Sequence, residues 1–96
     1  VLYLARLETF FPADIDPTLR DDIVSREKAY GQQLQAAGKI AHLWRVVGPK
    51  LANLTMFDVE SNEELQEILA ALPMRSYMDI EVTPIARHPS VIHQAS

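Results

Sequence analysis

The sequence predicts an α+β domain with the element order β-α-β-β-α-β, on three observations. Four β-rich segments are separated by breaks that contain Pro, Gly or Asp. Two of the intervening segments repeat apolar residues at helical spacing and begin with capping residues. A chain of 96 residues allows one core, so residues 1–96 form a single domain. A split βαβ of this kind gives a four-stranded antiparallel sheet with both helices on one face, the ferredoxin-like arrangement. The other face then needs a cover. A second copy packed sheet to sheet is the simplest one, and it predicts a dimeric α+β barrel.

The first strand spans Val1 to Phe10, a β-rich and mostly apolar run that Phe11-Pro12 ends. Asp16 followed by Pro17 fits an N-cap with proline at the first helical position. The helix it opens runs to about Ala37, where Gly38 terminates it. Its apolar stripe is Leu19, Ile23, Tyr30, Leu34 and Ala37, and Glu27 fills the long step between Ile23 and Tyr30. Residues 41–47 form a second strand, with His42, Trp44 and Val46 on one face and Leu43, Arg45 and Val47 on the other. Gly48-Pro49-Lys50 connects it to a third strand over 51–59, making a hairpin. Ser61 with Glu64 three residues on is a capping box, and Leu65, Ile68, Leu69 and Leu72 form the buried stripe of the second helix. Pro73 stops it. The fourth strand runs from Met78 to Ile85, with Met78, Ile80 and Val82 opposite Asp79, Glu81 and Thr83. Residues 84–96 read as a tail without a clear period that contacts a neighbouring subunit.

Composition narrows the functional classes. Nine Lys and Arg against thirteen Asp and Glu give a net charge of −4, with no basic block, which argues against a nucleic-acid partner. No apolar run approaches the roughly 20 residues that a membrane span needs. With no cysteine there is no disulfide, thiolate metal site or cysteine nucleophile. The start of the sequence lacks the pattern of a signal peptide, so the cytoplasm is the predicted location.

Glu27 is the most informative position. A carboxylate on an apolar stripe is either paired, lies at the stripe's edge, or has a pKa raised toward neutrality, which suits a general base. His42, Trp44 and Arg45 are concentrated on one short strand. A histidine there can relay protons and an arginine can hold a substrate carboxylate; equally, Trp44 is core and its neighbours lie at the sheet edge. Asn53 and Thr55 are polar residues in an apolar strand, either pocket donors or solvent-facing. Arg75, Tyr77, Asp79 and Glu81 surround the entry to the last strand. Arg87, His88 and His93 match no metal-ligand spacing. The acidic run from Asp58 to Glu67 reads as a solvated helix surface.

Read in order, Arg26-Glu27-Lys28, Gln33-Leu34-Gln35, Gly38-Lys39 and His42-Leu43-Trp44-Arg45 resemble the muconolactone Δ-isomerase family. So do Ala52-Asn53, the run from Phe57 to Leu65, Leu72-Pro73, Tyr77-Met78-Asp79-Ile80-Glu81-Val82 and Arg87-His88-Pro89-Ser90. The resemblance covers nearly the whole chain. It implies a ferredoxin-like protomer, dimers that assemble into decamers, a role in bacterial catechol breakdown, and no metal or organic cofactor. It implies a reaction in which the C4 proton of muconolactone is removed and a proton is returned at C2, giving 3-oxoadipate enol-lactone. On this resemblance Glu27 is the base and Arg45 the candidate for the substrate carboxylate. His42, Asn53 and Tyr77 are orienting or proton-donating groups, with Trp44 and Arg75 beside the substrate.

Two connections depart from the family pattern. Gly48-Pro49-Lys50-Leu51-Ala52-Asn53 is one residue longer than the family's Gly-x-Tyr-Ala-Asn and lacks its tyrosine. Leu72-Pro73-Met74-Arg75-Ser76-Tyr77 replaces the family's Leu-Pro-Leu-Phe-Pro-Tyr, setting a cation where an apolar ring stands. Loss of a proton donor and gain of a cation resemble the 5-chloromuconolactone dehalogenase branch, in which the C4 proton leaves and chloride departs from C5 to give a dienelactone. The sequence therefore predicts that dehalogenase. The ordinary isomerase is the alternative, and a small-acid-binding dimeric module without catalysis is a second one.

Overall fold

The computed structural model describes residues 1–92. It contains β1 (Leu2–Thr9), α1 (Pro17–Ala36), β2 (Ile40–Arg45), β3 (Ala52–Asp58), α2 (Asn62–Ala70), a short 3-10 turn (Arg75–Tyr77) and β4 (Met78–Ile85). This is the predicted order. The strands form one antiparallel sheet in the order β2-β3-β1-β4.

The local signals act as their chemistry requires. Asp16 accepts the Thr18 N–H at 3.1 Å, with Pro17 occupying the first position of α1, where a missing N–H is harmless. Gly38 has a φ of 75°, and the Lys39 N–H reaches back to the Leu34 carbonyl at 2.9 Å, closing α1 with a left-handed cap that glycine enters without strain. Ser61 accepts the Glu64 N–H at 3.1 Å, while the Glu64 carboxylate accepts the Glu60 N–H at 2.8 Å. The return arm of the capping box therefore lands one residue before the cap. Glu64 also pairs with Lys39 at 3.0 Å, tying the start of α2 to the end of α1. Its carboxyl is held below the usual carboxylate range, first by the Glu60 N–H and then by Lys39.

Strand register decides which residues meet the helices. Tyr3, Ala5 and Leu7 of β1 lie opposite Phe57, Thr55 and Asn53 of β3, and all six point to one face. Ile23 and Leu34 of α1 and Leu65, Ile68 and Leu69 of α2 join Tyr3, Ala5, Leu7 and Phe57 in a single buried cluster. Both helices therefore cover the same side. Burying an aromatic such as Phe57 contributes about 1.5–3 kcal/mol, so this layer dominates the stability of the domain.

The expected barrel is a correction. The sheet is not closed: β2 and β4 are its two edges and do not pair with each other. Four strands joined in the order β2-β3-β1-β4 have no return pairing, and closure demands that every strand have two neighbours. Smaller differences follow from the hairpin. β2 starts at Ile40, ends at Arg45 and carries a register shift between Ile40 and His42. Val46 donates to the Ala52 carbonyl as the ladder ends, and Val47 is almost fully exposed in the loop beyond. The residue 84–96 tail is described only to residue 92, so His93 lies outside the described residues.

Candidate active site

α1 does not cover the outer part of the hairpin, and the uncovered helix-side surface of β2 is the floor of a cleft. Leu43 and Arg45 point into this side, because they pair with Thr55 and Asn53, whose side chains face the helices. From above, Val24, Glu27 and Lys28 project from one stripe of α1, at the i, i+3, i+4 spacing that puts three side chains together. Met74, Met78, Thr9 and Leu51 complete the lining, with Thr9 paired to Met78 and its N–H bonded to the Leu51 carbonyl at 2.8 Å. The volume is about 380 Å³. A neighbouring cavity of about 290 Å³ shares Glu27, Lys28, Leu43 and Asn53 with it, so Glu27 borders both.

Glu27 is half-buried, and one carboxylate oxygen accepts the Met74 N–H at 2.9 Å. Burial pushes its carboxyl up from the usual 4.5, and the Met74 bond offsets part of that. Tyr30, one turn further along α1, donates to the Ile68 carbonyl at 3.3 Å. Its hydroxyl is pushed up as well, by burial and then by the charge of Glu27. Lys28 and Arg45 bring two cations to the cleft, and neither enters an ion pair among the described residues. Asn53, the cross-strand partner of Arg45, also lines the cleft. The buried Thr55 hydroxyl donates to its carbonyl oxygen at 2.7 Å, which leaves the amide N–H₂ free to donate toward a ligand.

The sheet separates the other candidates. His42 pairs with Met56 on the opposite face, and its ring stacks on Trp44 with centroids 5.0 Å apart and planes 8° from parallel. Trp44 borders the cleft through β2 but is half-exposed beside His42. On that far side, His42, Met56, Arg87, His88 and Val91 line a different depression of about 350 Å³. Within the protomer, Glu27 and His42 do not share a site. Arg75 turns its guanidinium to the Met78 carbonyl at 3.4 Å and Tyr77 packs on Phe11 with centroids 5.3 Å apart, so neither lines the cleft. Sequence reasoning missed Val24, Lys28, Met74 and Met78. The first two were available from the helical wheel around Glu27; Met74 contributes a main-chain group, which no residue type announces.

A carboxylate base, two cations and an amide donor around an apolar cleft suit proton removal from a small anionic substrate. Among the described residues, no group of three or more His, Asp or Glu is placed to hold a metal. A sequence profile described as muconolactone delta-isomerase matches residues 1–91. The chain belongs to the muconolactone Δ-isomerase family. It is 52% identical over 92 residues to muconolactone Delta-isomerase 1 of Acinetobacter lwoffii, covering 96% of this chain and 95% of that protein. The muconolactone Delta-isomerase of Rhodococcus opacus is 46% identical over 89 residues, covering 93% and 95%. A crystal structure of muconolactone isomerase superposes with a TM-score of 0.92 at 41% identity, over 99% of this chain and 98% of that one. Membership makes the chain a lactone-processing enzyme and removes the non-catalytic binding module from consideration. Among the described residues no helix is long and apolar enough to cross a membrane.

Proposed function

We propose that this enzyme is a muconolactone Δ-isomerase in which Glu27 moves the proton. The C4–H bond breaks toward the Glu27 carboxylate, its electron pair forms the C3–C4 double bond, and the displaced ring π pair moves onto C2 and the lactone carbonyl as a dienolate. Return of a proton to C2 gives the enol-lactone, with no atom gained or lost. Arg45 and Lys28 receive the acetate arm, and the Asn53 amide donates to the oxygen on which charge develops. The observation that carries this reading is the half-buried Glu27 carboxylate in the cleft, fixed by the Met74 N–H and made more basic by burial.

The isomerase is preferred to the chloride-eliminating enzyme on two grounds. The similar proteins cited above are named as isomerases. In addition, the cation that distinguishes the last connection, Arg75, is engaged with the Met78 carbonyl and is not among the residues that line the cleft. A dehydrochlorinase from Burkholderia phenoliruptrix shares the fold with a TM-score of 0.69 at 17% identity, a likeness of fold alone. The deciding experiment measures both reactions on one preparation. We expect kcat/KM for muconolactone to exceed that for chloride release from 5-chloromuconolactone; the reverse ranking returns the dehalogenase. We also propose that the enzyme works as a homo-oligomer, because the sheet face opposite the helices exposes Trp44 and leaves Leu4, Leu54 and Met56 partly uncovered.

A further inference from the structure

We propose that the turn Leu72–Arg75 is a positioning device for the base: Pro73 holds the Met74 N–H on one Glu27 oxygen, so that the other oxygen is presented to the cleft. This deepens the proposed isomerisation and rests on Glu27 being its base. The Arg75 N–H closes the turn on the Leu72 carbonyl at 3.0 Å, and Met74 has φ −89° and ψ 5°. Those are the angles a type I β-turn requires at its third position, and proline is favoured at the second, where its ring presets φ. In such a turn the N–H of the third residue is left without a partner inside the turn. Here it points at Glu27, 47 residues away in sequence, and bonds it at 2.9 Å.

The donor is anchored independently of α1. The turn runs directly into the 3-10 turn, where the Tyr77 N–H reaches the Met74 carbonyl at 2.9 Å, and then into β4, which pairs with β1 along its length. The base thus stands on a helix and its clamp on the sheet, and a Glu side chain with three rotatable bonds is confined between them. The clamp is also neutral. A cation bonded to Glu27 fixes it equally well but removes basicity, whereas a single N–H confines one oxygen and leaves the other as acceptor.

The charged groups facing Glu27 are few. α1 brings Lys28 and Tyr30, whose hydroxyl is engaged with Ile68 of α2, and β2 brings Arg45. β1, β3 and the turn contribute Thr9, Asn53 and Met74, none of which titrates. Loosening the turn therefore removes a contact that lowers the carboxyl's pKa while leaving burial in place, and the carboxyl moves up.

The test compares wild type with Pro73→Ala and Pro73→Gly, which free the second turn position by degrees. Two readouts are taken: the acid limb of kcat/KM for muconolactone against pH, and the titration of the Glu27 carboxyl by ¹³C NMR, assigned with Glu27→Gln. We expect Pro73→Gly to raise the midpoint in both by about half a pH unit or more, and to lower kcat at neutral pH by about 5–10-fold with a smaller change in KM. Pro73→Ala falls between, and it carries the comparison if the glycine variant does not fold. A fall in kcat with an unmoved midpoint, or no change in either variant, overturns the clamp. If wild type leaves muconolactone unconverted, the isomerase reading fails and the NMR midpoint alone decides the clamp.

Discussion

Glu27 sets chemistry and stability against each other. Its carboxyl is raised above 4.5 in the folded protein, chiefly by burial. The sign follows from linkage: a raised pKa favours the fold fully while the group is protonated, below its unfolded value, and that contribution is lost as pH rises through the folded value. Above that folded value the ionised carboxylate is a burden on the fold. Replacing it by the isosteric neutral amide in Glu27→Gln keeps the acceptor for Met74 and removes the charge. We expect turnover to fall by about 10²–10⁴-fold. Thermal unfolding should occur at the same or a higher temperature at neutral pH, with the gain vanishing below pH 4.5. Near-normal turnover in this variant removes Glu27 from the base role. For the wild type, the acid limb of kcat/KM should lie above the ordinary carboxylate value, since the proposed base accepts a proton only when ionised; a limb centred at or below 4.5 contradicts that.

Among the elements, α2 shows how a short helix is held. It has nine residues, too few to persist alone, and depends on Leu65, Ile68 and Leu69 against the sheet and on Ser61 at its start. Ser61→Ala removes the acceptor for the Glu64 N–H, and we expect a loss of about 1 kcal/mol by denaturant titration with an unchanged slope. Lactone turnover at saturating substrate should stay the same, because α2 sends no side chain into the cleft. A loss below about 0.3 kcal/mol indicates that the Lys39–Glu64 pair and the core carry the helix start without the cap. Asp16-Pro17, Gly38 and Ser61 announced their helix boundaries because capping is a local interaction between near neighbours. The end of β2 was missed by two residues, since Val46 and Val47 have the composition of a strand and only the absence of a ladder partner takes Val47 out of it.

For the molecule as a whole, one face of the sheet is layered with helices and the other is open. Trp44 is 49% exposed there, stacked on His42 rather than packed into a core. We expect sedimentation at assay concentrations to give a species larger than one chain. Trp44→Glu, which places a charge on that face, should shift it toward monomer while far-UV circular dichroism is retained. A wild-type monomer with full activity excludes the shared assembly. The proposed self-association also bears on His42 and on the tail through Arg87 and His88, which sit on the side of the sheet away from Glu27. A role for them in catalysis requires the cleft of another copy.

The amino-acid sequence by itself determined the order of elements, their caps, the antiparallel sheet with its helices on one side, and Glu27 as the anomalous carboxylate. These follow from periodicity and from contacts within a few residues. Alternation even stated that His42 and Arg45 point to opposite faces, yet it could not say which of them faces the helices. Tertiary structure decided that, through the pairing of Leu43 and Arg45 with Thr55 and Asn53. It also decided that the sheet stays open and that the Met74 main chain reaches Glu27. Register, closure and a backbone donor 47 residues distant are relations between segments, and no local pattern encodes them.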